Sequence, residues 1–282
     1  MELLGGRNLE FSHGPLVMGI VNCTPDSFFP GSRIYACGDA IERAREQIAA
    51  GASIIDVGGE SSRPGSEYVD AQTECSRIIP VIEGIRAFSR IPISVDTRKA
   101  SVAQKAVRAG ADIINDISAL CDDAELAPFV AETGVPVILM HMRGNPKTMQ
   151  EAPYYENTLS EVKDELSSRV ESALKAGILR EKIILDPGIG FGKRLEDNLR
   201  LIAGLKELRG LGFPLLLGAS RKGFIGTVTG KPVEERLAGS LAVAAYAAMA
   251  GVEIIRVHDV GETVDVIRII RAIQEVDADV DI

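Results

Sequence analysis

The feature that most restricts how this 282-residue chain can fold is a pattern repeated along its length. A short apolar run ends in one polar residue, and a loop rich in Gly, Pro or Ser then leads into an amphipathic helical stretch. IILDPGIGFGK, residues 183–193, is the plainest copy. It reads as a buried parallel strand that ends in Asp186 and a turn. A carboxylate at the end of so apolar a strand is either held by hydrogen-bond donors or aimed into a pocket. The glycines after it do not form an NTP cradle. A P-loop needs Gly five residues before the Gly-Lys pair and Ser or Thr after it, and Pro187 and Arg194 stand there instead.

Eight such units can be counted. The apolar runs are 16–21, tipped by Asn22; 53–57; 92–95, tipped by Asp96; and 112–114, tipped by Asn115 and Asp116. They continue with 136–140, tipped by His141; 183–186; 214–218, followed by Ser220; and 253–257, which carries Arg256 and leads to His258. Helices are expected at 39–50, from the second loop to about 88, at 100–109, up to Gly134, and at 158–176, 195–208, 234–250 and from 262 onward. The stretch ASRKGFIGTVTGKP after the seventh strand is expected to be loop. Alternating buried strands and helices predict an all-parallel sheet, and eight units favour closure into a (β/α)₈ TIM barrel, an α/β fold. Residues 15–275 are expected to form that single domain. Residues 1–14 are a short N-terminal turn or hairpin, and 276–282 a frayed acidic tail.

Composition narrows the classes. No apolar run approaches the ~20 residues that cross a bilayer, and the N-terminus lacks a basic segment followed by a long apolar core. Cys23, Cys37, Cys75 and Cys121 show no CxxC spacing and read as reduced thiols of a cytoplasmic protein. A net charge of −9 argues against a broad nucleic-acid surface. In a barrel the C-terminal strand ends share one face, so the polar tips converge there. Carboxylates and an amide suit a flat heterocycle with several N–H donors. Arg63 and Lys222 on loops, with Arg256 and His258, add positive charge that few residues of this face would compensate, so an anionic group such as a diphosphate is expected. Asn22 offers a neutral oxygen of the kind that completes a Mg²⁺ shell of phosphate oxygens and water.

Seven stretches carry a family resemblance: MGIVNCTPDSF (18–28), DVGGESSRPGS (56–66), ISVDTRKASVAQKAVRAGADIINDIS (93–118), VILMHMRG (137–144), ILDPGIGFGK (184–193), LGASRKGFIG (217–226) and RVHDV (256–260). From about residue 15 to 275 the sequence resembles dihydropteroate synthase, the pterin-binding barrel of folate biosynthesis. The resemblance implies condensation of 6-hydroxymethyl-7,8-dihydropterin diphosphate with 4-aminobenzoate, giving 7,8-dihydropteroate and diphosphate, with Mg²⁺ and in a homodimer. It implies that Asp96, Asn115 and Asp186 hold the pterin, with Lys222 at its oxo edge and Met140 against the ring. Arg256 and His258, with Ser62, would meet the diphosphate, and Asn22 the magnesium. Thr24, Pro25, Phe28, Ser62, Arg63, Pro64, Phe191 and Gly223 would form the aminobenzoate site. Asp26, with Ser27 and Phe28, would close over the reacting centre, making Arg63, Lys222 and Asp26 the catalytic set.

Three positions depart from the family pattern. Cys23 replaces an aliphatic residue and Ser62 a threonine, both mild changes. Gly223 stands where serine is usual, so a weakened aminobenzoate site is expected. Three other readings are weighed. One is a pterin-dependent methyltransferase, which has no use for the TPDSF loop or the cluster of cations. Another is a pterin-binding paralogue without turnover, against which the first loop, Arg63 and Lys222 speak. The third is a generic phosphate-binding barrel acting on a sugar or indole, against which the long matching motifs speak.

Overall fold

In the computed structural model of the chain, residues 1–12, 14–24 and 33–280 are described. Eight strands form one parallel sheet: β1 (Leu16–Asn22), β2 (Ile54–Gly58), β3 (Ile93–Asp96), β4 (Ile113–Asp116), β5 (Val137–Met140), β6 (Ile183–Asp186), β7 (Leu216–Leu217) and β8 (Ile254–Val257). They lie in the order β6-β5-β4-β3-β2-β1-β8-β7. The two ends of that order meet through a parallel bridge between Leu185 and Leu215, with Leu185 N–H donating to Pro214 O at 2.9 Å. The barrel is therefore nearly closed, and its weakest seam runs between β6 and β7.

Alternation along the strands sorts the side chains. Met18, Ile54, Ile113, Ile138, Ile184, Leu216 and Ile254 form an apolar layer inside the barrel. Their sequence neighbours Val17, Ile55, Ile114, Val137, Ile183, Leu217 and Ile255 belong to the separate core packed under the helices. The inner layer is closed from below by Leu3 and Leu9 of the N-terminal segment, where Glu2 and Asn8 form an antiparallel bridge. Arg7 of that segment and Arg86 both pair with fully buried Asp112 at the foot of β4.

The helices are α1 (Arg33–Ala49), α2 (Ala71–Arg86), α3 (Ala100–Ala109), α4 (Leu126–Thr133) and α5 (Thr158–Lys175). They continue with α6 (Leu195–Ala203), α7 (Leu205–Arg209), α8 (Gly223–Thr229), α9 (Leu237–Met249) and α10 (Val260–Val280). Four expectations are corrected. Helix α1 begins six residues before the expected position 39 and runs through Gly38. Gly204 divides the expected helix 195–208 into α6 and α7. Residues 223–229, expected as loop, form α8, stopped by left-handed Gly230. The final helix continues to Val280, through most of the segment expected to fray. Among the described residues no helix is long and apolar enough to cross a membrane.

Candidate active site

Two residues beyond the apolar layer, the same inward face of the strands carries Asp56 on β2, Asn115 on β4, Met140 on β5, Asp186 on β6 and Arg256 on β8. Arg256 organises them. Its Nε donates to Asp56 Oδ2 at 2.6 Å and its Nη2 to Asp96 Oδ2 at 3.0 Å. Asn115 Nδ2 donates to the same Asp56 oxygen at 3.3 Å. Asp56 is fully buried, and its Oδ1 has no hydrogen-bond partner among the described residues, so it stands as an open acceptor. Burial works against the Arg256 charge, but Asp56 and Asp96 outweigh it and hold its pKa above the ordinary value. Burial pushes Asp96 up to about 7, against the pull of Arg256 and with reinforcement from Asp56.

Asp186 sits across the β6–β7 seam from Lys222. Its Oδ1 accepts from Gly188 N–H at 2.7 Å, and buried Met140 is its register partner on β5. Lys222, the N-cap of α8, donates Nζ to Ile189 O and lies 4.6 Å from the centroid of the Phe191 ring. A Cβ built on Gly218 would lie 3.9 Å from Arg256 Cβ and 4.0 Å from Lys222 Nζ, which places those two cations side by side. Burial lowers Lys222 to about 8, opposed chiefly by Asp186. Burial also raises Asp186, opposed chiefly by Lys222. Asp96, Asn115, Asp186, Lys222 and Arg256 therefore lie together at the C-terminal mouth of the barrel.

The loops add the remaining groups. Asn22 and His258 line a cavity of about 440 Å³ beside α1, with Ile20, Asp39, Glu42, Arg43 and Glu46. Ser62 borders a narrow cleft with Asp96 and Arg98. Arg63 and Pro64 are exposed, and the Arg63 charge is felt at His258. Thr24 is buried just past β1. Phe191 is half-buried, and Gly223 opens α8 with clear space around it. Pro25, Asp26, Ser27 and Phe28 lie outside the described residues.

Several expectations change here. The cations are not uncompensated: Asp56 and Asp96 share Arg256, and Asp259 pairs with Arg221 beside Lys222. His258 is held toward its neutral form. Burial, and then Arg256, lower its pKa to about 4, and its Nδ1 faces Ser220 Oγ at 3.0 Å. His141 does not reach the mouth; it is buried between Lys193 and Glu165. Asp116 turns away and accepts from Ser118 and Leu120 N–H at 2.7 and 2.6 Å, fixing the loop after β4. Asp56 was not singled out from the sequence, although a carboxylate interrupting the apolar run IIDV on the inward register was the signal for it.

Such a floor can accept N–H donors from a flat ring, and the adjoining cations can meet an anion. The comparisons agree with that chemistry. A family model described as pterin binding enzyme matches residues 18–258. The chain is 50% identical over 267 residues to the dihydropteroate synthase of Escherichia coli (strain K12), covering 95% of this chain and 94% of that one. A Yersinia pestis dihydropteroate synthase, solved as a sulfonamide drug complex, superposes with a TM-score of 0.92 at 43% identity, covering 98% of this chain and 99% of that one. The Xanthomonas albilineans enzyme in complex with 7,8-dihydropteroate gives 0.86 at 42% identity, covering 94% and 95%. With a family match over most of its length and half of its aligned residues identical to those of a bacterial relative, the chain belongs to the pterin-binding enzymes, among the dihydropteroate synthases.

Proposed function

We propose that this transferase joins 6-hydroxymethyl-7,8-dihydropterin diphosphate to 4-aminobenzoate, releasing diphosphate and forming 7,8-dihydropteroate. The observation that carries the proposal is the grouping of Asp56, Asp96, Asn115 and Asp186 around Arg256 and Lys222 at one mouth. Relatives solved with 4-aminobenzoic acid and with 7,8-dihydropteroate support it. Asp96, Asn115 and Asp186 hold the amino-pyrimidinone edge of the pterin, the open Oδ1 of Asp56 adds an acceptor, and Lys222 meets the oxo group. Met140 lies against the ring. Arg256 turns its remaining donors, with His258 and Ser62, toward the diphosphate.

The chemistry asks little covalent work of the protein. The electron-rich dihydropterin ring spreads the positive charge that develops at the methylene carbon as the C–O bond to diphosphate breaks. The chain must hold that ring, neutralise the departing anion and exclude water until the aniline nitrogen, unprotonated near neutral pH, forms the new C–N bond. Thr24, Ser62, Arg63, Pro64, Phe191 and Gly223 form the aminobenzoate site; Pro25, Asp26 and Phe28 are assigned to it and to its closure by resemblance alone. Among the described residues no group of three or more His, Cys, Asp or Glu is arranged to hold a metal. A lone Asn22 amide fits a Mg²⁺ that arrives with the diphosphate, not a resident ion. When bound, Mg²⁺ supplies charge neutralisation on the leaving group. We assign the reaction to the cytoplasm, in keeping with four free cysteines, and the working form to a homodimer. Tyr246 and Met249 on α9, and Ile269, Ile273 and Val276 on α10, supply exposed apolar surface for it.

Incubation with the pterin diphosphate, aminobenzoate and Mg²⁺ is expected to release diphosphate only when the amine is present; amine-independent release, or none, overturns the assignment. In that assay Arg63→Ala is expected to lose on the order of 10²–10³ in rate, the usual cost of removing a preplaced charge. Near-normal turnover would remove Arg63 from the catalytic set. The kcat/KM for the pterin diphosphate is expected to rise as Asp96 ionises near 7 and to fall as Lys222 loses its proton near 8. Asp96→Asn abolishes the rising limb, and a profile with the limb intact contradicts the role of Asp96. Space around Gly223 admits a hydroxymethyl group, so Gly223→Ser is expected to tighten aminobenzoate binding; an unchanged affinity shows that the missing hydroxyl is immaterial. Light scattering is expected to give twice the mass of one chain, and a single-chain mass would refute the dimer.

A further inference from the structure

Lys193 ends the glycine-rich loop after β6, yet the chemistry above makes no use of it. Its side chain is buried, with 3% of its surface exposed, and its Nζ reaches three acceptors: His141 Nδ1 at 2.9 Å, Phe191 O at 3.0 Å and His141 O at 3.4 Å. All three are neutral. Burial lowers the lysine to about 7, opposed chiefly by Asp186. An ammonium taken out of water with no carboxylate bonded to it is a costly way to fill space. His141 is held in turn from its far side, with Nε2 2.9 Å from Glu165 Oε2.

The loop that Lys193 closes carries the groups that matter at the mouth. Ile189 O takes the Lys222 ammonium, and the Phe191 ring lies beneath it. The loop lies against the end of β5 so closely that a Cβ on Gly188 would come within 1.9 Å of His141 O, and one on Gly192 within 2.3 Å of Arg143 O. Both glycines have positive φ, 66° and 62°, which a larger residue rarely adopts. Side chains fix the loop peptides one by one: Asn198 accepts from Gly190 N–H at 2.6 Å, Gln150 donates to Gly190 O at 2.8 Å, and Tyr155 donates to Gly192 O at 3.0 Å. Lys193 takes the Phe191 carbonyl and joins it to β5.

We propose that Lys193, together with His141, is a positioning residue that fixes the Phe191 peptide and ring against Lys222 and thereby sets the affinity for the amine substrate without touching it. The substrate half of this statement rests on the reaction proposed above; the positioning half does not. Lys193→Met keeps the volume and removes the donors. It is expected to raise the aminobenzoate KM about tenfold, with kcat and the pterin diphosphate KM changed by less than about twofold. Amide hydrogen exchange across 188–192 is expected to quicken by at least about tenfold. His141→Asn keeps an acceptor near the place of Nδ1 and is expected to preserve both wild-type values, whereas His141→Ala repeats the Lys193→Met behaviour. Should Lys193→Met fail to fold, His141→Ala carries the same expectation.

Unchanged exchange in both variants would overturn the proposal whatever the kinetics. Faster exchange with an unchanged aminobenzoate KM would also overturn it, as would an equal rise in both KM values, which marks general damage. A wild-type chain without amine-dependent turnover would instead refute the proposed reaction, and the exchange measurement would still decide whether Lys193 holds the loop.

Discussion

A guanidinium buried inside a barrel is tolerable only if anions share its desolvation, and much of the mouth follows from that requirement. Arg256 stands on β8 in the inward register, above a layer of Ile, Leu and Met side chains that offer it nothing. Asp56 and Asp96 supply the anions from neighbouring positions around the barrel, and Asn115 steadies Asp56. The arrangement leaves Asp96 poised near neutrality and one Asp56 oxygen without a donor. A pocket balanced in this way is prepared for a ligand that brings both donors and negative charge: the donors find acceptors already fixed, and the anion finds cations already desolvated.

The strand tips made the fold and half of the site legible. Asn22, Asp96, Asn115 and Asp186 each end an apolar run, and barrel closure alone is enough to bring them to one face. Asp56 was harder to see because it lies inside its strand, where a sequence pattern flags the apolar neighbours first. Only the two-residue register that it shares with Ile54 marks it as inward. The same register separates Asn115, which faces in, from Asp116, which caps a loop on the outside. His141 and His258 show another boundary. Position indicates that a histidine stands at a strand end, but its charge and direction depend on neighbours distant in sequence, Lys193 in one case and Arg256 in the other.

Glycine closed helices where the sequence reading expected it, at Gly110 and Gly134, but other glycines misled the boundaries. Gly38 lies inside α1, and Gly223 begins α8 instead of extending a loop, while Gly204 does break the run between α6 and α7. Propensity treats these residues alike, and tertiary packing decides among them. The departure at Gly223 is informative for that reason. The residue stands at the start of a helix beside Lys222, and a Cβ built there would meet nothing within 4 Å, so the position has room for a side chain.

The short β7 strand has its own consequence. With one bridge joining it to β6, the cylinder is least firmly sewn at the edge flanked by Asp186 and by the loop that holds Lys222. A flat molecule gripped by both residues would lie across that gap as an extra stitch. Part of its binding free energy would then appear as resistance of the whole barrel to unravelling from its loosest side, so that occupancy and integrity of the fold become linked quantities.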